Sequence, residues 1–288
     1  MAKTRLDNRI HRPDDLRDHG YTVIGTIPNM DHLVAQDFDG AESIVVEGQT
    51  LDTRLVALLN PMAVASESYR ALRTSIQFSR PDVVIETVLV TSPSPTEGKT
   101  VTAINLAVVM AQAGRRVLLV DSDLRRPTVH KKLGRSREPG LVQLLFQDEA
   151  FDPEQYRTEI DDLYVLPAGV HASNPSELLG SKTMRDFIDR FRASFDTIIF
   201  DAPPALAATD AVLLSTQCDA TLLVVRAGET KDYDLQHAQE ALQSVGAAVI
   251  GTVLNGFDVS QAYGYKYKYQ YRYGNTYGYG HKDHNIGA

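Results

Sequence analysis

The tetrapeptide Glu97-Gly98-Lys99-Thr100 lies within VLVTSPSPTEGKTVTAINLA (88–107): an apolar run, a Pro/Ser/Thr loop, then a helical pattern. It carries the last three positions of G-x-x-x-x-G-K-[ST], with Pro93 where the first glycine would stand. Pro93 and Pro95 have no N–H to offer. The amides of residues 96 to 101 do, and at a helix N-terminus they form an anion cradle. Thr96, Glu97, Gly98, Lys99, Thr100 and Val101 are therefore the expected phosphate-binding residues. Gly98 lets the backbone approach closely, Lys99 reaches the terminal phosphates, and the Thr100 hydroxyl binds Mg²⁺. An ordinary strand-to-helix turn can also read Gly-Lys-Thr. The strand before and the helix after favour the phosphate reading.

Two further apolar runs end in aspartate. VLLVDSD places Asp121 and Asp123 at one strand end, and TIIFDAPP places Asp201 at another. Ligands of open parallel sheets bind outside the carboxyl ends of the strands, so the three carboxylates are expected to converge on the loop. Asp201 is the expected Mg²⁺ holder, directly or through water, with Thr100 and Asp121 beside it. Asp121 and Asp123 are two apart and would share one side of a regular strand. With Lys99 they form the expected catalytic set, a base there accepting a proton from an acceptor hydroxyl. A lone strand-end aspartate is more simply a helix cap. Three of them beside a Gly-Lys-Thr loop favour a site.

The elements that must position these groups are legible as texture. Runs at 86–92, 116–123, 163–169, 196–204, 220–228 and 248–256 are short, continuous and rich in Val, Ile and Leu. Such runs suit strands buried on both faces of a parallel sheet. Helical patterns at 99–114, 175–195 and 232–246 separate them, with Gly114 and Gly246 as C-terminal caps. The alternation predicts an α/β, doubly wound, mostly parallel sheet with helices on both faces. A polar segment (1–62), with one small strand at 22–28, precedes the expected domain of 63–257. A tyrosine-rich tail (258–288) follows; it holds little to bury and reads as disordered.

The 288 residues are 43% apolar, enough for a full core. A net charge of -8 argues against nucleic acid as a partner. The single cysteine, Cys218, excludes an intrachain disulfide and a cysteine-rich metal site, and fits a reducing compartment. No apolar run approaches the roughly 20 residues of a membrane span.

Taken together, these motifs resemble the bacterial tyrosine kinases (BY-kinases) of capsule and exopolysaccharide export, both Wzc-like and CapB-like. SPSPTEGKT looks like the family's Walker A, VLLVDSDLRRP its Walker A′, and IIFDAPP its Walker B. ESYRALRTSIQF (67–78) looks like its E-x-x-R-x-x-R helix, here Glu67, Arg70 and Arg73. The resemblance covers roughly 63–256, and the tyrosine cluster is a fifth mark. It implies a P-loop NTPase-like fold and transfer of the γ-phosphoryl of Mg·ATP to tyrosine. The acceptors would be Tyr263, Tyr265, Tyr267, Tyr269, Tyr271, Tyr273, Tyr277 and Tyr279, eight of the chain's thirteen tyrosines. It also implies a homo-oligomeric ring phosphorylating between subunits, with Glu67, Arg70 and Arg73 at the interface; by charge pattern alone these read as a solvated face with an ion pair. A cognate tyrosine phosphatase is a further implied partner. Asn255 would contact the nucleotide base, or equally be a turn residue before Gly256.

Residues 6–28 look like the segment after the second transmembrane helix of the Wzc-like branch. The implied setting is the cytoplasmic face of the plasma membrane, either as part of a membrane protein or beside a separate membrane activator. Thr96 departs from the family, where many relatives have glycine. Partition- and septum-type ATPases share the Walker elements but carry a second lysine near the loop's start; Ser94 stands there. A non-catalytic nucleotide-binding scaffold is the reading from a different class.

Overall fold

Seven apolar segments lie side by side as one parallel sheet in the computed structural model, which describes residues 7–147 and 151–258. In chain order the strands are β1 (Val23–Pro28), β2 (Ser43–Val46), β3 (Gln49–Asp52), β4 (Thr87–Thr91) and β5 (Val117–Asp121). They continue with β6 (Leu163–Leu166), β7 (Thr197–Asp201), β8 (Ala220–Arg226) and β9 (Val249–Phe257). The large sheet runs β1-β9-β8-β4-β7-β5-β6 with every pair parallel. β4, β5 and β7 are buried at every position, which is why their sequences are continuously apolar instead of alternating.

The faces divide as the pleat requires. Val88 and Val90 pack in one core with Tyr69, Leu72 and Ile76 of the helix Val64–Phe78 and with the helix Lys99–Ala111. Leu89, between them in sequence, packs in the opposite core with Phe187 and Phe191 of the helix Lys182–Ser194. The helix Lys99–Ala111 is buried from Thr100 to Ala111, so it reads apolar almost all round. Lys182–Ser194 buries Met184, Phe187, Ile188 and Phe191, the one-sided spacing of a helix with a wet outer face.

Gly114 (φ 78°) and Gly246 (φ 76°) adopt the left-handed conformation just beyond their helices, as expected of C-terminal caps. The single helix expected over 175–195 is two, Pro175–Leu179 and Lys182–Ser194. The break falls at Ser181, whose hydroxyl accepts the Met184 N–H at 3.0 Å and starts the second helix.

The segment before residue 63 is built into the same unit. β1 extends the sheet beside β9, and Ile10, Leu16, Ile27, Leu55 and Val56 are buried. The packing therefore runs through the expected 62/63 boundary without a break. β2 and β3 form an antiparallel hairpin through Glu47 (φ 50°) and Gly48 (φ 85°), the positive-φ pair of a tight hairpin turn. Asp52 at the hairpin's end pairs with Lys132 at 2.6 Å. Cys218 is buried in the core with Phe187, Phe191 and Leu214, its Sγ 3.4 Å from the Leu214 carbonyl, and burial pushes its thiol pKa up. Among the described residues no helix is long and apolar enough to cross a membrane. The tyrosine cluster of 263–279 lies outside the described residues.

Candidate active site

The ends of β4, β5 and β7 meet at one point. Asp121 and Asp201 are paired neighbours across β5 and β7, and the loop leaving β4 arches beside them. That loop needs unusual backbone. Thr96 (φ 67°) and Gly98 (φ 95°) are both left-handed, and Gly98 is N-cap of the helix Lys99–Ala111. Gly98 is obligatory for a second reason, since a Cβ there would fall 2.0 Å from Asn255 Nδ2. Asn255 packs on the loop and donates to the Glu97 carbonyl at 2.9 Å.

Lys99 is the centre of charge. Its Nζ donates to Asp123 Oδ2 at 2.9 Å, lies 3.5 Å from Asp201 Oδ1, and is 3.4 Å from Thr100 Oγ1. Burial disfavours the ammonium, but the carboxylates of Asp201 and Asp123 outweigh it, so its pKa is raised. The two expected base candidates separate. Asp123 faces the cleft, with Oδ1 accepting the Arg126 N–H at 3.0 Å. Asp121 is fully buried behind it, Oδ2 accepting the Val129 N–H at 3.1 Å and Oδ1 without a hydrogen-bond partner. Burial, then the nearby Asp201, pushes the Asp121 pKa well up. Asp201 is raised as well, chiefly by burial and against the pull of Lys99, and neither of its carboxylate oxygens has a hydrogen-bond partner.

Before these groups opens a cleft of about 740 Å³, within the range of small-ligand sites. Six cations line it (Arg54, Lys99, Arg125, Arg126, Lys132 and Arg226) against two anions, Asp31 and Asp123. At the lining itself cations outnumber anions, while Asp201, Asp210, Asp52 and Glu229 pair with four of the cations from behind and hold them in place. Among the described residues no group of three or more His, Cys, Asp or Glu could hold a metal alone. Mg²⁺ asks for less: one or two carboxylates plus substrate phosphates. The Thr100 hydroxyl and Asp201, whose Oδ1 is ion-paired with Lys99 and whose Oδ2 accepts no hydrogen bond, fit that need.

Several cleft residues escaped the sequence reading. Arg125 is clamped by both oxygens of the buried Asp210, at 2.7 and 3.0 Å, across 85 positions that no local signal bridges. Its place in Leu-Arg-Arg-Pro was visible, its role was not. Arg54 and Lys132 reach the cleft from the hairpin side. The E-x-x-R-x-x-R side chains lie elsewhere and are used within the chain. Arg70 pairs with Glu67 at 3.0 Å and donates to the Pro61 carbonyl, while Arg73 donates to the Val109 carbonyl at 2.8 Å.

Comparison with known proteins agrees with this geometry. The AAA domain model matches residues 96–248. The tyrosine-protein kinase YwqD of Bacillus subtilis is 37% identical over 214 residues, 74% of this chain and 90% of its own length. The putative tyrosine-protein kinase EpsB of Ralstonia nicotianae is 36% identical over 259 residues. That is 90% of this chain but 34% of EpsB, so the chain spans about a third of that relative. The kinase domain of the Escherichia coli tyrosine kinase ETK superposes with a TM-score of 0.77 at 29% identity, covering 89% of this chain and 98% of that one. With one relative aligned over nine-tenths of its length and the loop, lysine and strand-end aspartates arranged around one cleft, the chain belongs to the bacterial tyrosine-protein kinase family.

Proposed function

We propose that this chain transfers the γ-phosphoryl group of ATP to tyrosine, and that its own C-terminal tyrosines are acceptors, presented to the site of a neighbouring subunit. The observation that carries the reading is Lys99, held between Asp123 and Asp201 at the mouth of a left-handed loop inside a basic cleft. In the reaction the tyrosine Oη forms a bond to Pγ and the bond from Pγ to the β,γ-bridging oxygen breaks, leaving ADP. Catalysis of this kind is mostly positioning and charge stabilisation. The amides of residues 96 to 101 hold the phosphates, and Lys99 swings its charge from the carboxylates to the terminal phosphate oxygens. Mg²⁺, when held by Thr100 and Asp201, supplies positive charge to the phosphates. Asp123 takes the phenol proton, since it is the aspartate of the pair that faces the cleft. Buried Asp121 supports from behind.

The tail supports the acceptor assignment by where it starts: Asn255 and Gly256, near the end of β9, already line the cleft. Each phosphate adds about -1.5 to -2 charges, so successive transfers convert a basic tail into an acidic one and weaken its docking in an assembled ring. Glu67, Arg70 and Arg73 are proposed to serve that ring, and the resemblance to the capsule and exopolysaccharide kinases supports a membrane partner, a phosphatase and a place at the inner face of the plasma membrane.

The test is intact mass after incubation with Mg·ATP, beside Lys99→Met. A ladder of added phosphates mapping to residues 263–279, absent from the variant, is the expected outcome. Nucleotide hydrolysis without mass gain would sink the kinase reading in favour of a partition-type ATPase.

A further inference from the structure

Glu97 sits inside the phosphate loop, yet it takes no part in the cleft lining, although Thr96 and Gly98 on either side do. It is 3% exposed, and both carboxylate oxygens and the carbonyl are engaged inward. Oε2 accepts the Ser94 N–H at 2.8 Å, closing the loop on itself. Oε1 accepts the hydroxyl of Thr230, which lies 133 positions on, in the connection after β8. Its carbonyl accepts from Asn255 Nδ2. Thr230 is equally buried and is fixed in turn, its hydroxyl accepting the Arg226 N–H at 2.7 Å and its carbonyl accepting the Ile10 N–H at 2.9 Å. Burial lifts the Glu97 carboxyl to about 7, against the opposing pull of the Thr230 and Ser94 hydrogen bonds.

The loop has need of such a tie. Thr96 and Gly98 both hold left-handed backbone, which for threonine is unfavourable on its own. We propose that Glu97 is a positioning residue for nucleotide binding: its side chain clamps the phosphate loop to the Thr230 connection and so aims the amide cradle, without touching the nucleotide. The proposal rests on reading the loop as the phosphate site.

The experiment uses the full chain and two readouts. Equilibrium titration with a fluorescent methylanthraniloyl-ADP and Mg²⁺ gives affinity whether or not phosphate is transferred. Tail phosphorylation gives KM for ATP and kcat. Glu97→Gln and Thr230→Val each weaken nucleotide binding about tenfold, the order set by losing one buried hydrogen bond. For Thr230→Val, which lies outside the loop, KM rises by a similar factor and by more than kcat falls. Thr230→Ser, which keeps the hydroxyl, restores affinity. The double variant Glu97→Gln/Thr230→Val loses clearly less than the product of the two single effects, because both remove the shared Glu97–Thr230 hydrogen bond.

Unchanged affinity in both singles, or a double variant that loses the product of the two effects, overturns the clamp. Should Glu97→Gln fail to fold, Thr230→Val against Thr230→Ser decides the matter alone. A wild-type chain that binds the nucleotide but transfers no phosphate sinks the kinase reading and leaves the clamp testable by affinity. A chain that binds no nucleotide sinks both.

Discussion

Thr96 is the residue where backbone cost and site shape meet most directly. At φ 67° a β-branched side chain occupies a region that glycine enters freely. Among the described residues its hydroxyl finds only the neighbouring Pro95 carbonyl, at 2.6 Å. Thr96→Gly should therefore relieve strain, with a gain of about 1 kcal/mol in urea unfolding. A loss of stability would show that the threonine is held there by favourable contacts. Other charges at the site belong to a group and not to single residues. Lys99 offsets Asp123 and Asp201 together, which is why its ammonium keeps a raised pKa despite burial. The residue types and spacing at 98–100, 123 and 201 were enough to foresee that Lys99, Asp123 and Asp201 meet. The division between Asp121 and Asp123 was not foreseeable. It depends on the chain leaving β5 after Asp121, so that Asp123 turns toward Lys99 while Asp121 stays on the buried strand.

At the scale of elements, the helix Lys99–Ala111 is held from the side by side chains as well as by packing. Asn105, fully buried, accepts the Ala57 N–H at 2.9 Å and donates to the Arg54 and Val101 carbonyls at 3.0 and 2.9 Å. It joins the helix Lys99–Ala111 to the stretch that brings Arg54 to the cleft. Asn105→Ala should cost about 2–4 kcal/mol in urea unfolding, because it strands a buried donor and a buried acceptor. A cost below about 1 kcal/mol would mean that water or a shift of residues 54–57 replaces the bonds. No such joint is legible in sequence, where Asn105 reads as one polar residue within a helix. The six strands of 86–256 were legible because burial on both faces leaves continuous apolar runs. The β2–β3 hairpin was not: both strands are four residues long, with β2 largely exposed and β3 only partly buried. Their turn is Glu-Gly in place of the more telling Asn-Gly or Asp-Gly.

For the whole molecule, the class of fold was legible but the strand order was not. Alternating runs imply a doubly wound sheet, yet nothing local says that β4 sits between β7 and β8, or that β1 closes the sheet beside β9. Those neighbours are chosen by long-range packing. The chain therefore reads as three textures and folds, over its described residues, as one unit from Ile10 to Phe257. That unity gives the lone thiol an unplanned use. Cys218 is buried, at 9% exposure, and an opening of the fold is what brings it fully to a reagent. A maleimide added to the native protein is then a stopwatch for spontaneous opening. Saturating nucleotide that binds the folded state should slow labelling by the same factor by which it stabilises the fold. A rate indifferent to nucleotide would locate a local breach near Leu214, separate from the end of the sheet where Lys99, Asp123 and Asp201 meet.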